Sequence, residues 1–355
     1  MFDPDEVGIA AKVAFLRRAD VYPIPTRTVE VIETHMSWVF LTDSRVYKLK
    51  KPVRRDHFEL GSVAARHRNC ENELDLNRRL APDVYLGLIP LALTAHDALA
   101  LGAPGRVVDW LVEMRRLERS QLLDVAIRAG TVDRTRLAAL AQLLAEFYRQ
   151  ALRVTLTADA YRARCIAGID DSVRALTAPR APLDRARIND IAATLSRHVR
   201  IHAADFAARV AAARIVEGHG DLRPEHVCLE SRPLVIDCLE FDRDLRIVDV
   251  ADELAYLALE CEHLGAAWVG DGVLAACCAL AADAPPARLV EFYKAARALL
   301  RAKLCIGHLD DLAPPAHARW IERATAYVAL ASRHAQALAT SASSALAGPP
   351  GRPRH

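Results

Sequence analysis

Residues 216–237 read VEGHGDLRPEHVCLESRPLVID. Gly220 permits a tight turn that sets the Asp221 carboxylate beside an acceptor hydroxyl, with His219 orienting the loop through its backbone contacts. A polar loop follows, and the apolar strand LVID then presents Asp237 at its C-terminal end, sixteen positions after Asp221. That gap suits a β-hairpin that returns the second carboxylate to the first. Two carboxylates so arranged can divide the work of phosphoryl transfer, one positioning a nucleophilic hydroxyl and one holding a metal ion. His226, five positions after Asp221, stands where a further metal ligand is expected. Either aspartate alone reads as a turn cap or a strand end, so the pair carries the argument.

Phosphoryl transfer also needs a cation on the nucleotide phosphates, and the region upstream offers one. Between Thr28 and Val53, β-branched and aromatic residues fall in short runs with TDSR as a turn, which predicts strands near 28–33, 37–42 and 45–50. The last strand carries VYKLKKP. Lys48 and Lys50 share one face of it, Lys48 follows the apolar RVY and is the choice for the phosphate contact, and Lys50 and Lys51 are expected at the exposed strand end. Residues 62–80 read as a helix, from which Glu73, flanked by Leu74 and Leu76, is preferred to Glu71 and Asp75 as the partner of Lys48. VYLGLIPLAL and RVVDWLVEMRRL read as two more strands, residues 4–18 as an N-terminal helix, and the sequence beyond Ser120 as helical apart from Gly130, residues 178–184 and the strand-rich island 214–237.

A chain of 355 residues exceeds the usual single-domain size, and 52% hydrophobic residues supply an ample core. Lys plus Arg (47) nearly balances Asp plus Glu (45), so no global field favours nucleic acid. The eight cysteines form no CxxC and read as reduced thiols. No apolar run reaches the roughly 18 to 20 residues needed to cross a bilayer, so no membrane association and a cytoplasmic location are expected. GxxxxGK[ST], HExxH and GxSxG are all absent.

THMSWVFLTDSRVYKLKKPV, CENELDLNRRLAPDVYLG, VEMRRL, HGDLRPEHV and VIDCLEFDRDLRIVDVADELAYL together resemble the aminoglycoside phosphotransferase family, small-molecule kinases with a protein-kinase-like fold, in its bacterial branch that is sometimes fused to a P-loop kinase domain. The resemblance spans about residues 28–262, with a weaker match in RALLRAK near 297–303. It implies an α+β, bilobal fold: lead-in helix 1–27, antiparallel-sheet N-lobe 28–115, helical C-lobe 116–338 with the catalytic loop and acceptor site, and a disordered tail 339–355, with ATP between the lobes. Lys48 and Glu73 would form the ion pair on the ATP phosphates, Asp221 would be the catalytic carboxylate, and Asp237 would bind Mg2+, or Mn2+. Adenine would rest near Glu113, Met114 and Arg115, and residues 34–38 would cover the nucleotide.

Two departures stand out. The usual metal-binding Asn is His226, and Glu240 or Asp242 is a candidate to supply the missing oxygen. The phosphate-covering loop has no Gly, leaving Thr34 and Ser37 to approach the phosphates. The implied partner is a small molecule with an acceptor hydroxyl. Lys294, Arg297 and Arg301 make one basic stripe at helical spacing, with Lys303 nearby; if it faces the cleft it favours an anionic acceptor over a polycationic antibiotic. Asp249 and Asp252 read as structural support for a helix start. Two other readings stay open: an inactive or weakly active nucleotide-binding regulatory module of the same fold, and a metal-dependent hydrolase with His219, Asp221, His226 and Asp237 as ligands.

Overall fold

The computed structural model describes residues 7–55, 58–310, 315 and 317–346. It is an α+β protein, and the chain divides into two compact units, Met1–Val125 with Glu225–Arg246, and Ala126–Pro224 with Ile247–His355.

In the first unit, α1 (Ile9–Leu16) leads into β1 (Glu30–Glu33), β2 (Ser37–Leu41) and β3 (Arg45–Lys50), a meander closed at its second turn by Thr42, whose hydroxyl donates to the Arg45 carbonyl at 2.9 Å. Two two-residue strands, β4 (Arg54–Arg55) and β5 (Phe58–Glu59), precede α2 (Val63–Arg78). Ser62 caps that helix by accepting the Ala65 N–H at 3.2 Å. Next come β6 (Tyr85–Leu93), β7 (Leu99–Leu101) and β8 (Arg106–Arg115), and the six-stranded antiparallel sheet runs β1-β2-β3-β8-β6-β7. The strand period of two divides β3 between two cores. Tyr47 and Leu49 pack with Val13 and Leu16 of α1, whereas Val46 packs with α2, beside Cys70, Tyr85 and Met114. Lys48 and Lys50 therefore share the α2 face. The short edge strand β7 was not foreseen; its ALAL segment offers too little alternation to announce itself.

The unit boundary at Val125 falls inside α3 (Leu123–Ala129), which ends before Gly130 at φ +66°. The second unit continues with α4 (Arg134–Gln150), α5 (Ala158–Leu176), α6 (Arg185–Ile201) and α7 (Ala203–Ala211), then β9 (Ile215–Glu217). The first unit resumes with the hairpin β10 (Val227–Cys228) and β11 (Leu234–Val235). In the second unit β12 (Ile247–Asp249) pairs antiparallel with β9, and α8 (Val250–His263), α9 (Ala267–Leu280), α10 (Ala287–Gly307) and α11 (His317–Leu346) complete it. Side-chain caps from Asp133, Thr157, Asp184 and Asp249 start α4, α5, α6 and α8. One apolar core joins Tyr161, Ile191, Phe206, Leu259, Phe292 and Tyr327.

α11 runs to Leu346, eight residues into the segment expected to be a disordered tail; Ala-rich ALATSASSAL has the propensity to extend the helix, and residues 347–355 lie outside the described residues. The expected N-terminal helix over 4–18 is observed as Ile9–Leu16, with residues 1–6 outside the described set.

Candidate active site

The α2 face of the sheet in the first unit carries a charge cluster. Lys48 Nζ lies 2.8 Å from Glu73 Oε1 and 2.8 Å from Asp237 Oδ1. Burial pushes the Lys48 ammonium down, but Asp237, Glu73 and Glu240 outweigh it and hold the group well above its ordinary value. For Asp237, burial pushes the carboxyl up and Lys48, then His226, more than reverse it, so it stays ionised far below the usual carboxylate range. Glu73 is likewise raised by burial and lowered, on balance, by Lys48 and Lys50.

The backbone holds Asp237 in place. The residue adopts φ +62°, a left-handed conformation that Asp tolerates better than most side chains. Its N–H donates to the Tyr85 hydroxyl at 3.1 Å, and the next N–H, of Cys238, donates to Asn77 Oδ1 at 2.9 Å. His226 Nε2 faces the other carboxylate oxygen of Asp237 at 3.5 Å. The Asp237 side chain is 46% exposed whereas Lys48 is 12% exposed, so the carboxylate keeps an open side.

Lys50 corrects one expectation. It is not at an exposed strand end but wholly buried, bonded to both Glu73 and Glu240. The period of two that put Lys48 toward α2 puts Lys50 there as well. Glu240 is therefore committed to Lys50 rather than left over as a metal ligand. Lys51 pairs with Glu33.

Thr34 and Ser37 close the β1–β2 turn on each other: the Thr34 hydroxyl donates to the Ser37 carbonyl at 3.0 Å and accepts the Ser37 N–H at 3.0 Å, and Ser37 is buried. In a turn lacking Gly, the Thr34 side chain satisfies the Ser37 backbone, and the buried Ser37 contributes its N–H and carbonyl to the turn. Glu113 and Met114 lie within β8, laddered to β3 on one side and β6 on the other, with the Glu113 carboxylate accepting the Tyr47 hydroxyl at 3.1 Å. The β6 pairing is irregular opposite them, with a register shift between Tyr85 and Gly87.

In the second unit, Glu253 organises the HGD loop. This fully buried carboxylate accepts the His219 N–H at 3.0 Å, the Gly220 N–H, and the Tyr148 hydroxyl at 2.8 Å. Gly220 sits at φ +88°, and a Cβ on Gly218 would come within 2.5 Å of Glu253 Oε2, so glycine is required at both positions. The Asp221 N–H donates to His219 Nδ1 at 3.3 Å. Asp221 Oδ1 in turn accepts the Tyr256 hydroxyl at 3.1 Å and meets Arg223 Nε at 2.9 Å. Sequence reading missed Glu253. The available signal was a lone Glu with Tyr256 and Glu260 at i+3 and i+7, one polar face on an otherwise apolar helix.

The basic stripe on α10 is neither solvated nor free. Lys294 pairs with Asp271 at 2.7 Å, Arg297 with Asp252 at 2.6 Å, and Arg301 with Glu260 at 3.0 Å, while Lys303 bonds Asp171. Asp249 and Asp252 are structural: Asp249 caps α8 and binds Arg209. Among the described residues no group of three or more His, Cys, Asp or Glu is arranged to hold a metal ion. Nor, among them, is any helix long and apolar enough to cross a membrane.

No family model matches the chain. An uncharacterized protein of Mycobacterium tuberculosis and one of Mycobacterium bovis are each 32% identical over 331 residues, 89% of this chain and 62% of theirs. The chain thus spans about three fifths of the length of the curated relatives it matches. Among solved structures, a mutant aminoglycoside 2'-phosphotransferase of type IIIa in complex with GDP superposes with a TM-score of 0.53 at 16% identity, over 94% of this chain and 99% of that one. Choline kinase from Cryptosporidium parvum superposes with a TM-score of 0.50 at 10% identity, over 88% and 90%. The chain has the aminoglycoside-phosphotransferase-like, protein-kinase-like fold.

Proposed function

We propose that this kinase-like chain transfers the γ-phosphoryl group of ATP to a hydroxyl of a small molecule. The observation that carries the reading is Lys48 Nζ at 2.8 Å from both Glu73 and Asp237, a cation fixed by a buried helix carboxylate and placed beside an open one. In this mechanism Lys48 binds phosphate oxygens, and Glu73 holds its ammonium in position. Asp221 Oδ1 orients the acceptor hydroxyl and takes its proton as the hydroxyl attacks. Tyr256 and Arg223 keep that carboxylate aimed, and Glu253, through the His219 and Gly220 N–H groups, fixes the loop that presents it.

The fold implies a divalent ion. The donors present suit one that accepts mixed ligands: the half-exposed Asp237 carboxylate and the His226 imidazole facing it, a set that fits Mn2+ at least as well as Mg2+. When bound, the ion would neutralise charge on the phosphates.

The second reading, a nucleotide-binding regulatory module, draws support from the commitment of Thr34 and Ser37 to their own turn. One experiment separates the two: nucleotide consumption with ATP and with GTP, in Mg2+ and Mn2+, across sugars, amino alcohols, aminoglycosides and phosphorylated metabolites, with Asp221→Ala as the blank. Acceptor-dependent turnover that disappears in Asp221→Ala is the result expected of a phosphotransferase; binding without turnover for any acceptor leaves the module.

A further inference from the structure

Asp221 belongs to a larger charged patch within the second unit. Tyr256, its hydroxyl partner, lies on α8, and one turn further along that helix Glu260 accepts Arg301 Nε at 3.0 Å and the Tyr327 hydroxyl at 2.9 Å. The guanidiniums of Arg301 and Arg323 stand over the Tyr327 ring, 5.4 Å and 5.9 Å from its centroid. The catalytic loop, α8, α10 and α11 thus gather Arg223, Arg301 and Arg323 around two carboxylates, Asp221 and Glu260. Electrostatics places the same groups together. The Tyr256 hydroxyl, pushed up first by burial, feels Asp221, Arg301, Glu260 and Arg223, and the Cys305 thiol, also pushed up by burial, feels Arg301, Arg323 and Arg223 against Glu260.

Exposure decides which sign a ligand would meet. The Glu260 side chain is 2% exposed beneath the patch, whereas Arg301 is 10%, Arg223 17% and Asp221 20% exposed, and Arg323 is part-exposed. Three guanidiniums therefore surround one accessible carboxylate. A polycationic acceptor would need the opposite balance. Lys294 is matched by Asp271, and Arg297, which stands over the Tyr256 ring at 4.9 Å, is matched by Asp252.

We infer that this patch is an acceptor subsite for an anion, a hydroxyl compound carrying a phosphate or carboxylate that Arg223, Arg301 and Arg323 hold while its free hydroxyl meets Asp221. The inference rests on the phosphotransferase reading, yet it can be tested without turnover. Calorimetric titration of the full chain, free of nucleotide, would use glycerol 3-phosphate, glycerate, glycerol and choline, with ATP titrated separately. Glycerol 3-phosphate or glycerate should bind, the better of the two identifying the anionic group, and glycerol and choline should not. Arg223→Gln and Arg323→Gln should each weaken the anion by about tenfold or more, and Arg323→Gln should leave ATP affinity unchanged. Arg301→Lys, which keeps the charge on Glu260, guards against loss of the fold and should weaken it less. Tighter binding of choline, no anion binding at concentrations of about 10 mM, or anion binding indifferent to both Gln variants would overturn the inference. Failure of ATP to bind while the anion binds in an arginine-dependent way would sink the phosphotransferase reading and leave the anion site standing.

Discussion

The α2 face of the sheet and the inner face of α10 are built from the same materials, basic side chains at regular spacing set against acids. On the sheet, Lys48 and Lys50 share Glu73, and two lysines confront three acids, Glu73, Asp237 and Glu240, a net of minus one. On α10, Lys294 and Arg297 have principal partners of their own in Asp271 and Asp252. One-to-one pairing cancels charge and ties helices together. Sharing leaves Asp237 with an open side and surplus negative charge, an arrangement able to take a further cation and its phosphates. Regular spacing of charges therefore does not distinguish a site from a brace; the stoichiometry of pairing and the exposure of the acid do.

The largest effect expected under this contrast is catalytic. Asp221→Ala should lower turnover by about 10²- to 10⁴-fold with nucleotide affinity retained, checked by steady-state kinetics beside calorimetry. Next comes Lys50→Met, which leaves Glu73 and Glu240 without their shared cation in a buried place and should cost about 3–5 kcal/mol in denaturant unfolding. Arg297→Met makes the matching test on α10. Its pair with Asp252 is partly exposed, so a loss of about 1–3 kcal/mol with no change in ATP affinity is expected; a change in ATP affinity would erase the distinction between the regions.

Much of this was legible beforehand. Lys48 was chosen because it follows the apolar RVY, and Glu73 is its partner; the strand before Asp237 was visible from its apolar run, though it ends at Val235, two residues short of the aspartate. The illegible parts share a cause, since partner choice depends on residues far apart in the chain. Lys50 looked like a frayed strand end because Glu240, its acid, lies 190 positions away. Thr34 and Ser37 looked available because a turn's internal hydrogen bonds leave no mark on composition. Glu253 was hidden inside an apolar helix, and its hold on two N–H groups appears only once Gly218 lets it approach.

Glu253→Gln sharpens that last point. Weakening the acceptor for the His219 and Gly220 N–H groups should cost about 1–3 kcal/mol and lower turnover, whereas Glu322→Gln, on the exposed side of α11, should do neither. A further effect is one of pH. His198 is stacked on Phe292 and is pushed down to about 4, chiefly by burial and next by His202, with Asp205 pulling the other way. The folded state therefore binds fewer protons than the unfolded one between pH 6.5 and 4. Stability is full above about 6.5 and should fall through that window with a slope approaching ~1.4 kcal/mol per pH unit, a slope that His198→Phe should flatten.

The most direct test concerns the shared lysine. Calorimetric titration with ATP and Mn2+ should give binding in the wild type that weakens by about tenfold or more in Lys48→Met, with the metal-free protein's unfolding still cooperative. Equal affinity in the two proteins would mean that the Lys48, Glu73 and Asp237 cluster is a brace like those on α10, and that the nucleotide, if the chain takes one, is held elsewhere.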